Sequence, residues 1–312
     1  MALPTVLQGP AYVSWGSKIY YTEGNVSLKY ERRTWSPQSA SYGALGPRYK
    51  NTIVRVSFTP CGNVVAASLG ANYFPHHPSG VGTSIIAADD LIIAPKAGNK
   101  VTFTRAGISK MPSLRLSAQA TAFSGDMEFI ALGDSAMDPT NAAYWQVAAA
   151  TAADTSFTEA TILSPRYTAA WGATYTGMEP DESGFIFEPS CEVKEITSCN
   201  QGVLDVILAS AGLRCRFRPI TKTTAAGMTE ADYAGLLLLQ DATAALPGMT
   251  VGNATSLVVT GTGLVVTAPT MGPTDGALHY GVAEWRQGEV TFENKVAFAV
   301  GVPAAMWTFV AS

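Results

Sequence analysis

The stretch Leu116–Phe129, LSAQATAFSGDMEF, alternates apolar and polar residues on both sides of a turn at Gly125, and its pattern returns in Leu278–Phe292, LHYGVAEWRQGEVTF. In both, an aromatic residue (Phe123 or Trp285) follows the leading leucine by seven positions, and a short turn then carries Gly125 or Gly288 beside an acidic residue. Alternation with a period of two on either side of a glycine turn predicts an antiparallel β-hairpin with one buried face. Two such stretches, one in each half, predict a mainly β chain built from two tandem, similar β-sandwich or barrel domains.

A chain of 312 residues has room for two cores of ordinary domain size. Only 14% of the residues are charged and 47% are hydrophobic, whereas about a quarter charged is usual for soluble domains. Low charge predicts a surface largely hidden in an assembly. The charge is also divided unevenly. Residues 1–133 carry 12 Lys and Arg against 6 Asp and Glu, and residues 134–312 carry 8 against 18. A basic first half and an acidic second half would steer copies into head-to-tail association, or else are two solvated faces.

The amino terminus lacks a basic region ahead of an apolar run, and the longest apolar runs are too short to span a bilayer, so neither signal peptide nor membrane segment is expected. Four cysteines without CxxC spacing predict no disulfide scaffold, and Cys215, in an alternating run, is expected to be a small buried thiol.

The punctuation of the chain predicts residues 1–133 as the first domain, an Ala/Thr-rich connector over 134–183, and a second domain over 184–312. In the first, residues 12–30 form a hairpin around Glu23-Gly24-Asn25, and Thr52–Thr59 is a strand. Between them Glu31–Asn51 reads as a loop of about twenty residues, a length usually reserved for functional or disordered segments. It holds Arg32, Arg33, Trp35, Tyr42, Arg48, Tyr49 and Lys50, which suits a contact surface that orders on a partner. A short helix over Asn63–Asn72, strands at Asp90–Ala94 and Val101–Thr104, and the Gly125 hairpin complete the unit.

The connector is expected to hold a helix at Asn141–Ala150 and to be pinned to a domain surface by Tyr167, Trp171 and Tyr175. The second domain follows the same order: short strands at Phe185–Glu188, Glu192–Ile196, Val203–Leu208 and Leu213–Phe217, a helix over Glu230–Ala244 with Thr229 as its N-cap, and strands at Ser256–Thr260 and Leu264–Thr267. Ser210–Gly212 reads as the shortened counterpart of the long loop.

No constellation supports catalysis. Gly133-Asp134-Ser135 has the look of a hydrolase nucleophile block, but Ala136 follows, and only His76, His77 and His279 could serve as base. His76-His77 lie side by side, which points them apart rather than at one metal ion. Gly80-Val81-Gly82 and Gly261-Thr262-Gly263 lack the context of a phosphate loop and read as turns. An enzyme, a cofactor and a metal are not expected.

Residues 100–132, KVTFTRAGISKMPSLRLSAQATAFSGDMEFIAL, together with SPRYTAAWGATYTG at 164–177, resemble the tail-tube-like proteins of long-tailed bacteriophages. The resemblance implies a β-sandwich with one flanking α-helix, rings that stack into a tube for DNA passage, and, for a duplicated domain, a trimeric ring of pseudo-sixfold symmetry. It implies an inter-ring contact loop at Glu31–Asn51. Its further implications are partners among other tail proteins, including the tape measure, DNA that passes without specific binding, no membrane, and a place in the virion tail after assembly in the host cytoplasm. The competing expectations are a β-sandwich adhesin using Trp15, Trp35, Trp171 and Trp285, or another tail component such as a terminator, baseplate hub or connector.

Overall fold

The computed structural model describes residues 11–61, 69–74, 82–95, 99–118, 121–134, 143–149, 166–198, 202–220, 227–238, 255–277, 288–296 and 307–312. They form a mainly β protein built on two large antiparallel sheets, each organised around one long two-stranded ribbon. In the first sheet the ribbon pairs Lys18–Trp35 with Arg48–Cys61, and in the second it pairs Phe185–Ser198 with Gly202–Phe217.

Around each ribbon the neighbours follow the same order. Ala11–Trp15 turns at Gly16 into the first ribbon, and Tyr167–Trp171 turns at Gly172 into Tyr175–Pro180 ahead of the second. Both glycines adopt left-handed φ values, 60° and 63°, which a side chain would strain. The strands carrying Trp15 and Trp171 pair outward with Leu91–Pro95 and Thr255–Gly261, with Trp15 opposite Leu91 and Trp171 opposite Leu257. Those strands pair in turn with Asn99–Phe103 and Leu264–Gly276, whose outer neighbours are Trp145–Ala149 and Thr308–Val310. On the other side of the ribbons lie Met127–Leu132 and Val290–Val296.

Register agrees as well as order. In the first ribbon Arg33 is opposite Asn51 and Thr34 opposite Tyr49, so Lys50 bulges; in the second Glu192 is opposite Ser210 and Val193 opposite Leu208, so Ala209 bulges. Every one of these residues lies 159 positions from its counterpart, as 33 to 192 and 49 to 208. The cores correspond too. Phe129 packs on Trp15 and Phe58 at 5.6 and 6.1 Å, and Phe292 packs on Trp171 and Phe217 at 6.0 and 6.3 Å. Each such buried aromatic contributes about 1.5–3 kcal/mol of transfer free energy.

The two sheets are joined closely. Ser113–Leu116 adds to the edge of the second sheet, with Leu116 opposite Phe185 and Leu114 opposite Phe187. Residues 82–85 run along the second ribbon, with Gly82 and Ile85 N–H donating to the carbonyls of Leu208 and Val206 at 2.7 and 2.9 Å. Strand pairing therefore crosses the expected boundary near residue 133.

Several expectations are corrected. The Gly125 turn is not a hairpin: Thr121–Ser124 pairs with Ser113–Leu116 in the second sheet, while Met127–Leu132 joins the first, so the chain changes sheets there. Residues 278–287 of the second copy lie outside the described residues. Glu23-Gly24-Asn25 is a bulge within Lys18–Trp35, because the hairpin turn falls at Gly16-Ser17 instead. The strands expected at Phe185–Glu188 and Glu192–Ile196 are one strand, as are those at Val203–Leu208 and Leu213–Phe217, and Ser210–Gly212 lies inside it as paired strand rather than loop.

Within 134–183, Trp145–Ala149 is an edge strand and not helix, and Tyr167, Trp171 and Tyr175 are buried strand residues of the second sheet. Of the helix expected at 63–72, residues 62–68 lie outside the described residues and Leu69–Tyr73 is a single wide helical turn. The later helix is described over Glu230–Leu237. It begins, as expected, at Thr229, whose hydroxyl accepts from Asp232 N–H while the Asp232 carboxylate accepts from Thr229 N–H.

Candidate assembly surface

The segment expected as a loop, Glu31–Asn51, is the outer end of the first ribbon. Paired strand continues through Trp35 opposite Arg48, and a small second hairpin, Gln38–Ser39 with Gly43–Ala44, caps the tip. Paired backbone satisfies its own hydrogen bonds, so the ribbon needs no apolar face and can carry charged and aromatic side chains on both sides. Alternation along the strand then sorts the seven candidate residues.

Arg32 and Tyr49 lie on one face. With Tyr30, Val101, Trp145 and Val147 they line a groove of about 290 Å³. Tyr30, Tyr49, Trp145 and Val147 are each about half exposed, at 59, 48, 52 and 51%. The Tyr49 hydroxyl donates to the Asp134 carboxylate and is also hydrogen-bonded to the Thr52 hydroxyl at 2.8 Å. Partial burial and then the Asp134 contact push the Tyr49 phenol above its ordinary range, so it stays a neutral donor.

Arg33 lies on the opposite face and is engaged within the chain. Its guanidinium donates to both carboxylate oxygens of Glu195, on the second ribbon, at 2.7 Å. Arg55 joins the same group, reaching Glu31, Glu128 and Glu195 at 3.3, 2.9 and 3.6 Å. Lys29, at 3.0 Å, helps to hold the Glu31 carboxyl below its usual range. Basic and acidic halves thus meet inside one chain here.

Lys50 is half-buried at the bulge, beside Gly202 at the start of the second ribbon's return strand. Its neighbour Asn51 is fully buried, donating to the Val203 carbonyl at 2.7 Å and accepting from Val203 N–H at 3.3 Å. Trp35, Arg48 and Tyr42 occupy the distal end, with Tyr42 83% exposed. The structure therefore brings together Arg32 and Tyr49, turns Arg33 and Lys50 towards the second sheet, and leaves Trp35, Tyr42 and Arg48 outward.

Sequence reasoning missed Tyr30, Trp145 and Val147. The signal present was the alternation Trp145-Gln146-Val147 within an Ala-rich stretch, too short to separate from helix. Among the described residues no three His, Cys, Asp or Glu side chains converge on a common point, and no described helix is long and apolar enough to cross a membrane. His76, His77, His279 and Ser135 lie outside the described residues. An aromatic and aliphatic groove whose charged lining is one guanidinium, Arg32, and one carboxylate, Asp134, the latter held by the Tyr49 hydroxyl, is suited to receiving an apolar side chain. Comparison of the sequence with models of known protein families and with curated proteins finds no match.

Proposed function

We propose that this chain is a self-assembling structural subunit made of two copies of one β unit, and that it forms the tail tube of a long-tailed bacteriophage. The observation that carries the duplication is the shared bulge, Lys50 in one ribbon and Ala209 in the other, with the same pairs on either side at a constant spacing of 159 residues. A bulge of this kind shifts register and is a specific device, so its recurrence at one position is hard to obtain from two unrelated sheets.

Self-assembly is supported by where the apolar surface lies. Of the ten large hydrophobics exposed among the described residues, seven, Tyr30, Trp35, Tyr42, Leu45, Tyr49, Trp145 and Val147, belong to the first sheet's ribbon and edge, whereas Ile196 and Val310 lie on the second sheet and Leu238 ends the helix. Surfaces of that kind mark protein interfaces. Three chains of two units each would close a ring with six similar sectors, and closed rings of heterologous contacts need no other partner. The tube assignment itself rests on the sequence resemblance. In that reading the distal ribbon, with Trp35, Tyr42 and Arg48, contacts the next ring.

Copy number per particle tests the assignment. A tube subunit is present in many stacked rings, so quantitative mass spectrometry of purified virions should find it in large excess over single-ring components. Absence from tails, or one ring per particle, would reject the tube.

A further inference from the structure

The two sheets are related in register but differ in what covers them, and the difference identifies a docking site. In the second sheet, Phe309 lies in the outer strand Thr308–Val310, opposite Val266, and Trp307 directly precedes that strand. The corresponding strand of the first sheet places Val147 opposite Val101, with Trp145 two residues earlier, as Trp307 is two residues before Phe309.

Within the chain, the seat at Trp307 and Phe309 is filled by Phe74. Its ring lies 4.4 Å from Trp307 and 5.6 Å from Phe309, and Phe74 and Trp307 are 1 and 3% exposed. The seat at Trp145 and Val147 pairs a tryptophan with an aliphatic residue instead of a phenylalanine and stands open, both residues being about half exposed. Leu208, buried by residues 82–85, shows the same contrast with its counterpart Tyr49.

The structure also holds a counterpart of Phe74. Phe74 directly follows the helical turn Leu69–Tyr73 and closes it, its N–H donating to the Gly70 carbonyl at 3.2 Å. Leu238 directly follows the helix Glu230–Leu237 and closes it in the same way, donating to Ala234 at 2.9 Å. Both segments lie in the same place in chain order, between the ribbon and the strand that pairs beside Trp15 or Trp171. Phe74 is buried against the second sheet, whereas Leu238 is 67% exposed.

We infer that the groove at Tyr30, Trp145 and Val147 receives the helix end at Leu238 from a second copy of this chain, repeating between chains the contact that Phe74 makes within one. The contact is heterologous, since the two surfaces are different, and so it propagates into a ring or a filament instead of closing a twofold dimer. The outer edge of residues 26–28 fits the same arrangement. Its counterpart at Phe185–Phe187 receives Leu114–Leu116, and no described strand pairs with the edge at 26–28. This inference rests on the reading of the chain as two copies of one unit, and not on the tail assignment.

Two full-length chains with different tags, one carrying Val147→Cys and the other Leu238→Cys, test it by mixing under mild oxidation. The expected result is a reductant-sensitive species bearing both tags, formed in the mixture and not by either variant alone. Trp145→Asp, at a half-exposed position, should raise the self-association constant for dissociation by about tenfold or more. If native mass spectrometry finds ring-sized oligomers of the parent chain while the mixture gives no two-tag species, the docking site is wrong and the assembly reading stands. If the parent chain is monomeric at every concentration, both fall. Homodimers of Val147→Cys alone would indicate a twofold contact and also overturn the proposal.

Discussion

The guanidinium of Arg33 donates to both carboxylate oxygens of Glu195 at 2.7 Å, joining the ribbon of one sheet to the ribbon of the other. Both bonds come from one nitrogen, Nη2, so the pair lacks the two-nitrogen fork of the strongest Arg–carboxylate contacts, and the Arg33 side chain is 39% exposed, so solvent screens it. A double-mutant cycle with Arg33→Ala and Glu195→Ala should return a coupling of about 0.5–1 kcal/mol in chemical denaturation. Additive single effects would show that the contact does not hold the ribbons together.

Asn51 predicts a larger cost at the same junction. It is fully buried and satisfies both backbone groups of Val203, so Asn51→Ala strands a donor and an acceptor out of water, at about 1–3 kcal/mol each. Gly202→Ala should be at least as damaging. Gly202 has φ 74°, and an added Cβ would come within 2.3 Å of the Asn51 carboxamide oxygen. Urea denaturation measures both, and wild-type stability in either variant would contradict the described docking of the second ribbon on the first.

Acid should loosen the same region. Glu31 is held below its ordinary value of 4.5 chiefly by the hydrogen bond from Lys29, with Arg55 and Arg33 adding to it and burial opposing. A carboxyl lowered in the folded state contributes stability that is present above its unfolded value and is lost as pH falls through the folded one. The thermal midpoint should therefore fall below about pH 4.5, and Glu31→Gln should flatten that part of the profile. An unchanged acid slope in the variant would remove Glu31 from this role.

The thiols give a chemical test of the core. Burial raises the Cys215 thiol well above its ordinary range, and burial raises Cys191 to about 11, with its Sγ donating to the Ser109 carbonyl at 2.9 Å. Thiolates are the reactive species, so both should resist alkylation near neutral pH until the chain unfolds. Site-resolved mass spectrometry after brief iodoacetamide treatment should find them unmodified in the native protein, whereas labelling at Cys215 as fast as in denaturant would contradict its place in the second sheet.

Mainly β architecture was legible because period-two alternation survives in strands such as Ile53–Phe58 and Leu213–Phe217, where one face is core. Partner choice was not. Met127–Leu132 alternates in the same way whichever strand lies beside it, so the Gly125 turn looked like a hairpin when it changes sheets. Glu31–Asn51 looked like a loop because the face it turns to the second sheet carries polar residues such as Glu31, Arg33 and Asn51, so no apolar alternation marks it. Trp145–Ala149 was hidden for a related reason: all five of its residues are exposed and its composition is Ala-rich. The register match between ribbons depends on long-range pairing, which no local pattern in Lys50 or Ala209 announces.

The most direct test of the central claim is electron microscopy of the purified full-length chain. Class averages should show rings with a central channel and six similar sectors, resolving at higher detail into three chains, and stacking of the rings into tubes. Uniform monomers, or twofold particles without a channel, would contradict it.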